Sequence, residues 1–272
     1  MTSYALQPRV APRLPGLFGT RRSVRLVERN MASYRRMWIL LITGCFEPIF
    51  YLLSLGVGLG KLIPDVTGPG GAPVTYVHFV APALLATAAM NGAMYDSTFG
   101  IFHRLKYGKV YAAVLATPLT PPDIALGELI WCLMRGGMYA VAFTAVVAFF
   151  GVLTSPWAIL AIPAALLIGL GFAGLGMAIA TFMKSWQDFE VVNLLMMPMF
   201  LFSTTFFPLG VYPRGLQLFV EITPLYQGIE IIRDLMLGVV GPSLLLRCLY
   251  LAVMAVGGLT IAARRFGRLL TA

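Results

Sequence analysis

The chain has 272 residues, of which 59% are hydrophobic and only 11% are charged, and its mean hydropathy is +0.84. Soluble domains carry about 25% charged residues, so this composition excludes an ordinary soluble enzyme and a disordered chain. Three cysteines are too few for a disulfide-stabilised secreted scaffold, and a polytopic membrane protein is the class that remains.

The first 37 residues divide into an irregular tail and an amphipathic helix. Prolines punctuate the tail, whereas in 20–37 Val27, Met31 and Tyr34 recur at helical spacing and share one face. Arginines, including Arg29, occupy another face. This pattern predicts an interface helix on the cytoplasmic lipid surface, with its arginines near anionic headgroups. A solvated helix that only precedes a span is the alternative.

Six apolar stretches are long enough to cross a bilayer, which requires about 20 residues of helix. They lie at 38–60, 77–100, 125–150, 157–182, 190–207 and 243–263. The weak alternating segments of a β-barrel are not found. The sequence therefore predicts an all-α integral membrane protein with six transmembrane helices in one domain, 38–263, and a cytoplasmic tail at 264–272.

The basic residues predict the orientation of the spans. Fifteen of the 20 Lys and Arg residues lie before span 1, between spans 2 and 3, between spans 4 and 5, or after span 6. Three lie on the opposite side, and Arg135 and Arg247 lie in or at the edge of spans. By the positive-inside rule both termini are cytoplasmic. The charge of +9 is thus explained without nucleic-acid binding.

Residues 208–242 are too polar for a span and too apolar for a free loop. Pro208, Pro213 and Pro224 divide this segment, and Arg233 is one of its charged residues. The pattern predicts two short re-entrant helices between spans 5 and 6, which dip into the outer leaflet where other helices cover their ends.

No motif for catalysis, metal binding or nucleotide binding is found. His78 and His103 are far apart, and the cysteines lack CxxC spacing. Neither Gly60-Lys61 nor Gly108-Lys109 completes a P-loop. We expect no catalytic residue, no metal and no cofactor on this chain, and we do not expect the chain to bind ATP by itself.

Several ionisable residues fall within predicted spans, where each is costly at a helix centre. Glu47 precedes Pro48, while Glu128 and Arg135 lie seven residues apart and share a face. Interhelical hydrogen bonds are the favoured explanation for Asp96 and Glu128, whereas for Glu47 and Arg135 a structural and a transport role stand equal. Glu47, Glu128 and Arg135 are the candidates for a translocation path.

Two stretches resemble a known family. RLKYGKVYAAVLATPLTPPDIALGELIW at 104–131 and the region 169–238, with Phe206-Phe207-Pro208 and Ile231-Ile232-Arg233, are similar to type-2 ABC transporter permeases. The resemblance is greatest to the branch of nodulation lipo-chitin-oligosaccharide exporters and daunorubicin-type drug exporters. Together with the six spans it covers most of residues 20–270.

The resemblance implies a dimer of permeases, as a homodimer or heterodimer, with two copies of a separate ATPase that carry ATP and Mg. It also implies a coupling segment between spans 2 and 3 that contacts the ATPase. Acidic residues are frequent there in the family, whereas this chain has His103, Arg104 and Lys106. The residues assigned to the contact are Arg104, Leu105, Lys106, Tyr107, Val110, Tyr111, Leu115 and Thr117.

Three functions are compatible with these features. The first is the permease of an ATP-driven exporter for an amphipathic, lipid-linked or drug-like substrate. The second is a secondary transporter driven by an ion gradient through buried acids such as Glu47 and Asp96. The third is a membrane-embedded enzyme or assembly scaffold. The resemblance of the coupling segment and the missing catalytic motifs favour the first.

Overall fold

The computed structural model of the protein describes residues 26–31, 46, 49–108, 110–117 and 119–271. Most of predicted span 1, including Glu47, and most of the predicted interface helix lie outside the described residues. Residues 26–31 are helical, and we call them the interface helix below. Val27 is buried there, whereas Met31, assigned to the same face, is 49% exposed.

Four described helices are long and apolar enough to cross a membrane, and they coincide with predicted spans 2, 3, 4 and 6. They run over Tyr76–Tyr107, Pro121–Phe149, Pro156–Ala180 and Pro242–Leu269. From residue 76 onward the described residues form eight α-helices, which are α1 (Tyr76–Tyr95), α2 (Val110–Leu115), α3 (Pro121–Phe149), α4 (Ala161–Ala180), α5 (Gln187–Phe202), α6 (Arg214–Ile222), α7 (Pro224–Leu237) and α8 (Pro242–Thr271).

α1 continues beyond the predicted end of span 2, and α3 begins before the predicted start of span 3. α1 continues through π-helical turns at Asp96–Gly100 and His103–Tyr107, well beyond residue 100. α3 begins at Pro121 because Thr120 precedes it and both the backbone N–H and the hydroxyl of Thr120 donate to Asp123, 2.9 and 2.6 Å away. A proline in the first turn is compatible with helix initiation, since its missing N–H would have no helical partner.

α4 is the centre of the bundle, and it packs against α1, α3, α7 and α8. Its small residues allow this close approach. A Cβ on Gly258 of α8 would lie 2.4 Å from the backbone carbon of Gly174, and a Cβ on Gly176 would lie 1.9 Å from the Ser97 hydroxyl of the helix that continues α1. The small residues of span 4 therefore serve packing within one chain.

Predicted span 5 corresponds to α5, which is only 16 residues long and is followed by an irregular turn. The segment after it contains the two predicted short helices, α6 and α7. Pro208 and Pro213 immediately precede helical turns and Pro224 is the first residue of α7, where the fixed φ angle of proline suits helix initiation. α7 packs against α1, α4 and α8.

The loop between the first described residues and α1 contains a small hairpin. Strands β1 (Val66–Thr67) and β2 (Pro73–Val74) pair antiparallel, and Gly71 turns between them with a φ of 80°. We call this end of the bundle, which also contains α6 and α7, the outer end. The opposite end contains residues 103–117 and is called the coupling end, following the predicted orientation.

Candidate functional site

Glu128 of α3 is fully buried at the coupling end, and four side chains surround its carboxylate. Arg104 Nη2 lies 2.9 Å from Oε2, and the Tyr111 hydroxyl donates to Oε1 at 3.1 Å. From the interface helix, Asn30 Nδ2 donates to Oε2 at 3.1 Å and Arg29 Nη2 lies 3.6 Å from Oε1. These five residues form the Glu128 cluster. Such partners are required, because an unpaired buried carboxylate is strongly destabilising.

The Glu128 cluster joins three segments that are distant in sequence. Arg29 and Asn30 belong to the interface helix, Arg104 and Tyr111 to the coupling segment, and Glu128 to the bundle. The prediction that Arg29 lies near lipid headgroups is therefore modified, since a buried carboxylate attracts it inward while its side chain stays 34% exposed. No periodicity in the sequence marked Asn30 as a partner of Glu128.

The predicted coupling segment presents a buried and an exposed face. Arg104 and Tyr111 point into the bundle, and the Tyr111 ring packs edge-on against Phe266 of α8 with ring centroids 6.0 Å apart. Leu105 and Val110 are half-buried, whereas Lys106, Tyr107 and Thr117 are exposed. The side chain of Leu115 lies outside the described set. Only the exposed face is available to a partner protein.

Arg135 shares a helix face with Glu128, but the acid that it pairs with is Asp96. Its Nη2 lies 2.7 Å from Asp96 Oδ1, and its guanidinium group lies 5.7 Å from the centre of the Tyr139 ring. The pair joins α3 to the helix that continues α1. The favoured interhelical explanation therefore fits Asp96 and Glu128, and it fits Arg135 as well. A path role for Glu128 and Arg135 remains a prediction, as does that of Glu47.

Arg233 of α7 is buried at the outer end and holds three elements together. Its guanidinium donates to the Thr204 carbonyl at 2.8 Å and to the Phe79 carbonyl at 3.3 Å, and it pairs with Glu230. It also lies 4.0 Å from the centre of the Phe79 ring. Thr204 has a φ of 58°, a strained conformation for a non-glycine residue, and the bond to Arg233 supports it.

A second arginine completes the outer cluster. Arg247 of α8 lies 2.6 Å from the carboxylate of Asp234 and 3.6 Å from that of Glu230. The sequence alone places Arg247 in or at the edge of a span and does not identify its acidic partners. Together with Arg233, this network fixes α7 against α1, α8 and the turn after α5.

An apolar groove of about 440 Å³ extends along α5, between α5, α4 and α1. Asp188 lies at its coupling end and Pro224 at its outer end. Methionine side chains contribute much of the lining, and these adapt to ligands of irregular shape. The lining residues are Met94, Phe172, Leu175, Ile179, Phe182, Met183, Asp188, Val191, Val192, Leu195, Met196, Met199 and Pro224.

Comparison with known proteins identifies the family. The family model described as ABC-2 type transporter matches residues 23–237. The chain is 31% identical over 231 residues to Nodulation protein J of Sinorhizobium fredii (strain NBRC 101917 / NGR234), covering 84% of this chain and 86% of the relative. It is 30% identical over 213 residues to Nodulation protein J of Rhizobium meliloti (strain 1021), covering 78% and 79%.

A third relative extends the match along the chain. Nodulation protein J of Rhizobium leguminosarum bv. viciae is 29% identical over 247 residues, which cover 89% of this chain and 93% of the relative. The family match spans the interface helix, the coupling segment, the groove and α7. The chain therefore belongs to the ABC-2 type transporter family, and it is a multi-pass membrane permease subunit.

Proposed function

We propose that the chain is the permease subunit of an ATP-driven exporter, whose ATPase is a separate protein that docks on the exposed face of the coupling segment. ATP and Mg are bound by two copies of that ATPase, and this chain pairs with a second permease, identical or homologous. Six spans cross the inner membrane with both termini in the cytoplasm, and α6 and α7 are re-entrant in the outer leaflet.

The observation that carries this proposal is the Glu128 cluster. A force applied by a partner to residues 103–117 reaches Arg104 and Tyr111, which are bonded to Glu128. Separating these groups would leave buried charge without compensation, so the coupling segment and α3 are expected to move together. The interface helix moves with them through Asn30.

The groove beside α5 supports the proposed class of substrate. Its lining is almost entirely apolar, with one carboxylate at its coupling end, which suits an amphipathic, lipid-linked or drug-like molecule. Movement of α5 relative to α4 would change the width of the groove. Export of such a molecule is the direction that we propose.

The alternative of an ion-gradient-driven transporter depends on acids that bind and release ions within the membrane. Among the described residues, Asp96 is paired with Arg135 and Glu128 with Arg104. These pairs favour a structural role for both acids. An assembly scaffold would not require the coupling segment to be joined through Glu128 to α3 and to the interface helix.

The docking of the ATPase is tested with a bulky residue on the exposed face of the coupling segment. Ala113 of α2 is exposed, so Ala113→Trp should block a partner without disturbing the bundle. We expect co-purification of the ATPase to fall by about tenfold or more. Ala72→Trp, at an exposed alanine of the outer hairpin loop, is the matched control. Normal co-purification with Ala113→Trp would refute the assignment.

A further inference from the structure

The indole of Trp186 lies at the centre of an aromatic cluster at the coupling end. Its ring stacks on Tyr107 with centroids 5.2 Å apart and an interplanar angle of 27°. It also contacts Phe99 at 5.1 Å, Phe102 at 5.5 Å and His103 at 6.2 Å. All four partners belong to the stretch in which α1 continues into the coupling segment.

The short loop that carries Trp186 is held in a defined shape. Asp188 accepts hydrogen bonds from the backbone N–H groups of Lys184 at 2.6 Å and Ser185 at 3.2 Å, and these bonds lower the pKa of its carboxyl group. Lys106 of the coupling segment donates to the Lys184 carbonyl at 3.1 Å. Trp186 immediately precedes α5, so the loop and the start of α5 form one unit.

The remainder of α5 is loosely attached to the described part of the protein. None of the described helices packs its backbone closely along α5. Leu194, Leu195 and Met197 are 70%, 68% and 66% exposed. At its coupling end, Phe189 joins the aromatic cluster through Tyr95 and Phe99. These rings therefore link the stretch that leads into the coupling segment to the start of α5.

We propose that Trp186 is a positioning residue that transmits movement of the coupling segment to α5 and thereby changes the groove beside α5. This inference rests on the proposed function, because the ATPase supplies the movement. The rigid indole is suited to this role, since it contacts four rings on one face of the helical stretch that continues α1, with only two rotatable bonds of its own. The loop between spans 4 and 5 then supports the coupling segment of its own chain.

An anchoring role at the membrane interface is a different explanation for an aromatic residue at this position. An anchor would influence insertion and yield. It would not change how α5 responds to nucleotide. The contacts of Trp186 favour transmission, because the indole lies against four rings of the stretch in which α1 continues into the coupling segment, while 38% of the residue remains exposed.

The inference is tested by measuring the movement of α5 directly, so that the substrate does not need to be known. In a chain whose native cysteines are replaced by alanine, Leu195→Cys reports the groove wall and Thr117→Cys reports the coupling segment. Maleimide labelling rates are measured on the complex with the co-purified ATPase, with and without ATP and vanadate. We expect Trp186→Ala to reduce the nucleotide-dependent rate ratio at Leu195→Cys by about two- to tenfold, the size of an aromatic contact.

Three further variants make the result specific. Trp186→Phe should retain the response at Leu195→Cys, and so should Trp157→Ala, which removes an exposed tryptophan at the outer end. Phe99→Ala, which removes another ring partner of Trp186 outside the assigned ATPase contact, should reproduce the loss, and combining it with Trp186→Ala should add little. If Trp186→Ala does not assemble, Trp186→Leu keeps apolar volume without the ring and takes the same test.

An unchanged response at Leu195→Cys in the Trp186→Ala complex would overturn the inference while the proposed function stands. If nucleotide does not change the labelling rate of Thr117→Cys in the complex with Trp186 intact, the proposed function is overturned, and the inference is overturned with it. The expected pattern is a response at Thr117→Cys in every variant, and a response at Leu195→Cys only where the aromatic contact remains.

Discussion

Buried charges account for much of the specificity of this structure at the residue scale. Glu128, Arg233 and Asp96 all lie inside the protein. Glu128 and Asp96 pair with opposite charges from other segments, whereas Arg233 pairs with Glu230 in the preceding turn of α7. Such pairs contribute little net stability compared with apolar packing, yet removing one member is strongly unfavourable. They therefore define which segments lie together.

Replacing the central carboxylate of the Glu128 cluster tests this interpretation. Glu128→Gln keeps the shape of the side chain but leaves the Arg104 and Arg29 cations without an anion. We expect the protein to be destabilised by roughly 3–5 kcal/mol, the range for breaking a buried ion pair. The measurement is the thermal unfolding midpoint of the purified protein in detergent.

Glu190→Gln, at an exposed position in the first turn of α5, is the control and should leave that midpoint unchanged. Combining Glu128→Gln with Arg104→Gln should recover part of the loss, because the uncompensated cation is removed. Equal midpoints for Glu128→Gln and the native chain would show that the cluster does not hold the three segments together.

At the element scale, the contact between α4 and α8 determines how closely the central helices approach. Gly174 and Gly258 face each other there, and neither position has room for a further carbon atom. Close backbone contact of this kind provides van der Waals attraction that lipid cannot replace. The remaining helices are arranged around this pair.

Neighbouring glycines of α8 provide a matched test of that contact. A Cβ on Gly258 would lie 2.4 Å from the Gly174 backbone, whereas a Cβ on Gly257 would meet nothing within 4 Å. Gly258→Ala should therefore destabilise the protein by about 1–3 kcal/mol through overpacking. Gly257→Ala should be neutral or stabilising, because alanine favours helix more than glycine does. Chemical denaturation of both variants in the same detergent gives the comparison, and equal loss in both would contradict it.

At the scale of the whole molecule, the distribution of basic residues and the arrangement of the helices agree. The segment with Arg104 and Lys106 and the loop with Lys184 meet at one end of the bundle, and Lys106 donates to the Lys184 carbonyl there. The β1–β2 loop lies at the other end. The positive-inside rule assigns the former to the cytoplasm.

Cysteine accessibility in intact cells tests this orientation. In the chain without native cysteines, Ala72→Cys in the β1–β2 loop should react with a membrane-impermeant maleimide added outside. Thr117→Cys should react only after the membrane is permeabilised, although both residues are exposed. Labelling of Thr117→Cys from outside would reverse the topology, and the proposed ATPase contact would then be impossible.

Hydropathy predicted spans 2, 3, 4 and 6 well, because the preference of a segment for lipid is a sum over its own residues. The starts of α6 and α7 were predictable for a similar reason, since Pro213 and Pro224 act locally. The predicted shared helix face of Glu128 and Arg135 was less informative. Their spacing placed them on one face of a helix, but spacing within a helix does not identify the neighbouring helix.

The sequence by itself determined the class of protein, the spans that the described helices bear out and the family resemblance, all of which depend on local composition or contiguous motifs. Only the tertiary structure decided that Glu128 joins Arg104, Tyr111 and Asn30, and that Trp186 lies against Tyr107. These contacts connect residues up to 98 positions apart. They depend on which helices pack together, and small residues such as Gly174 and Gly258 permit that packing only when both helices are present.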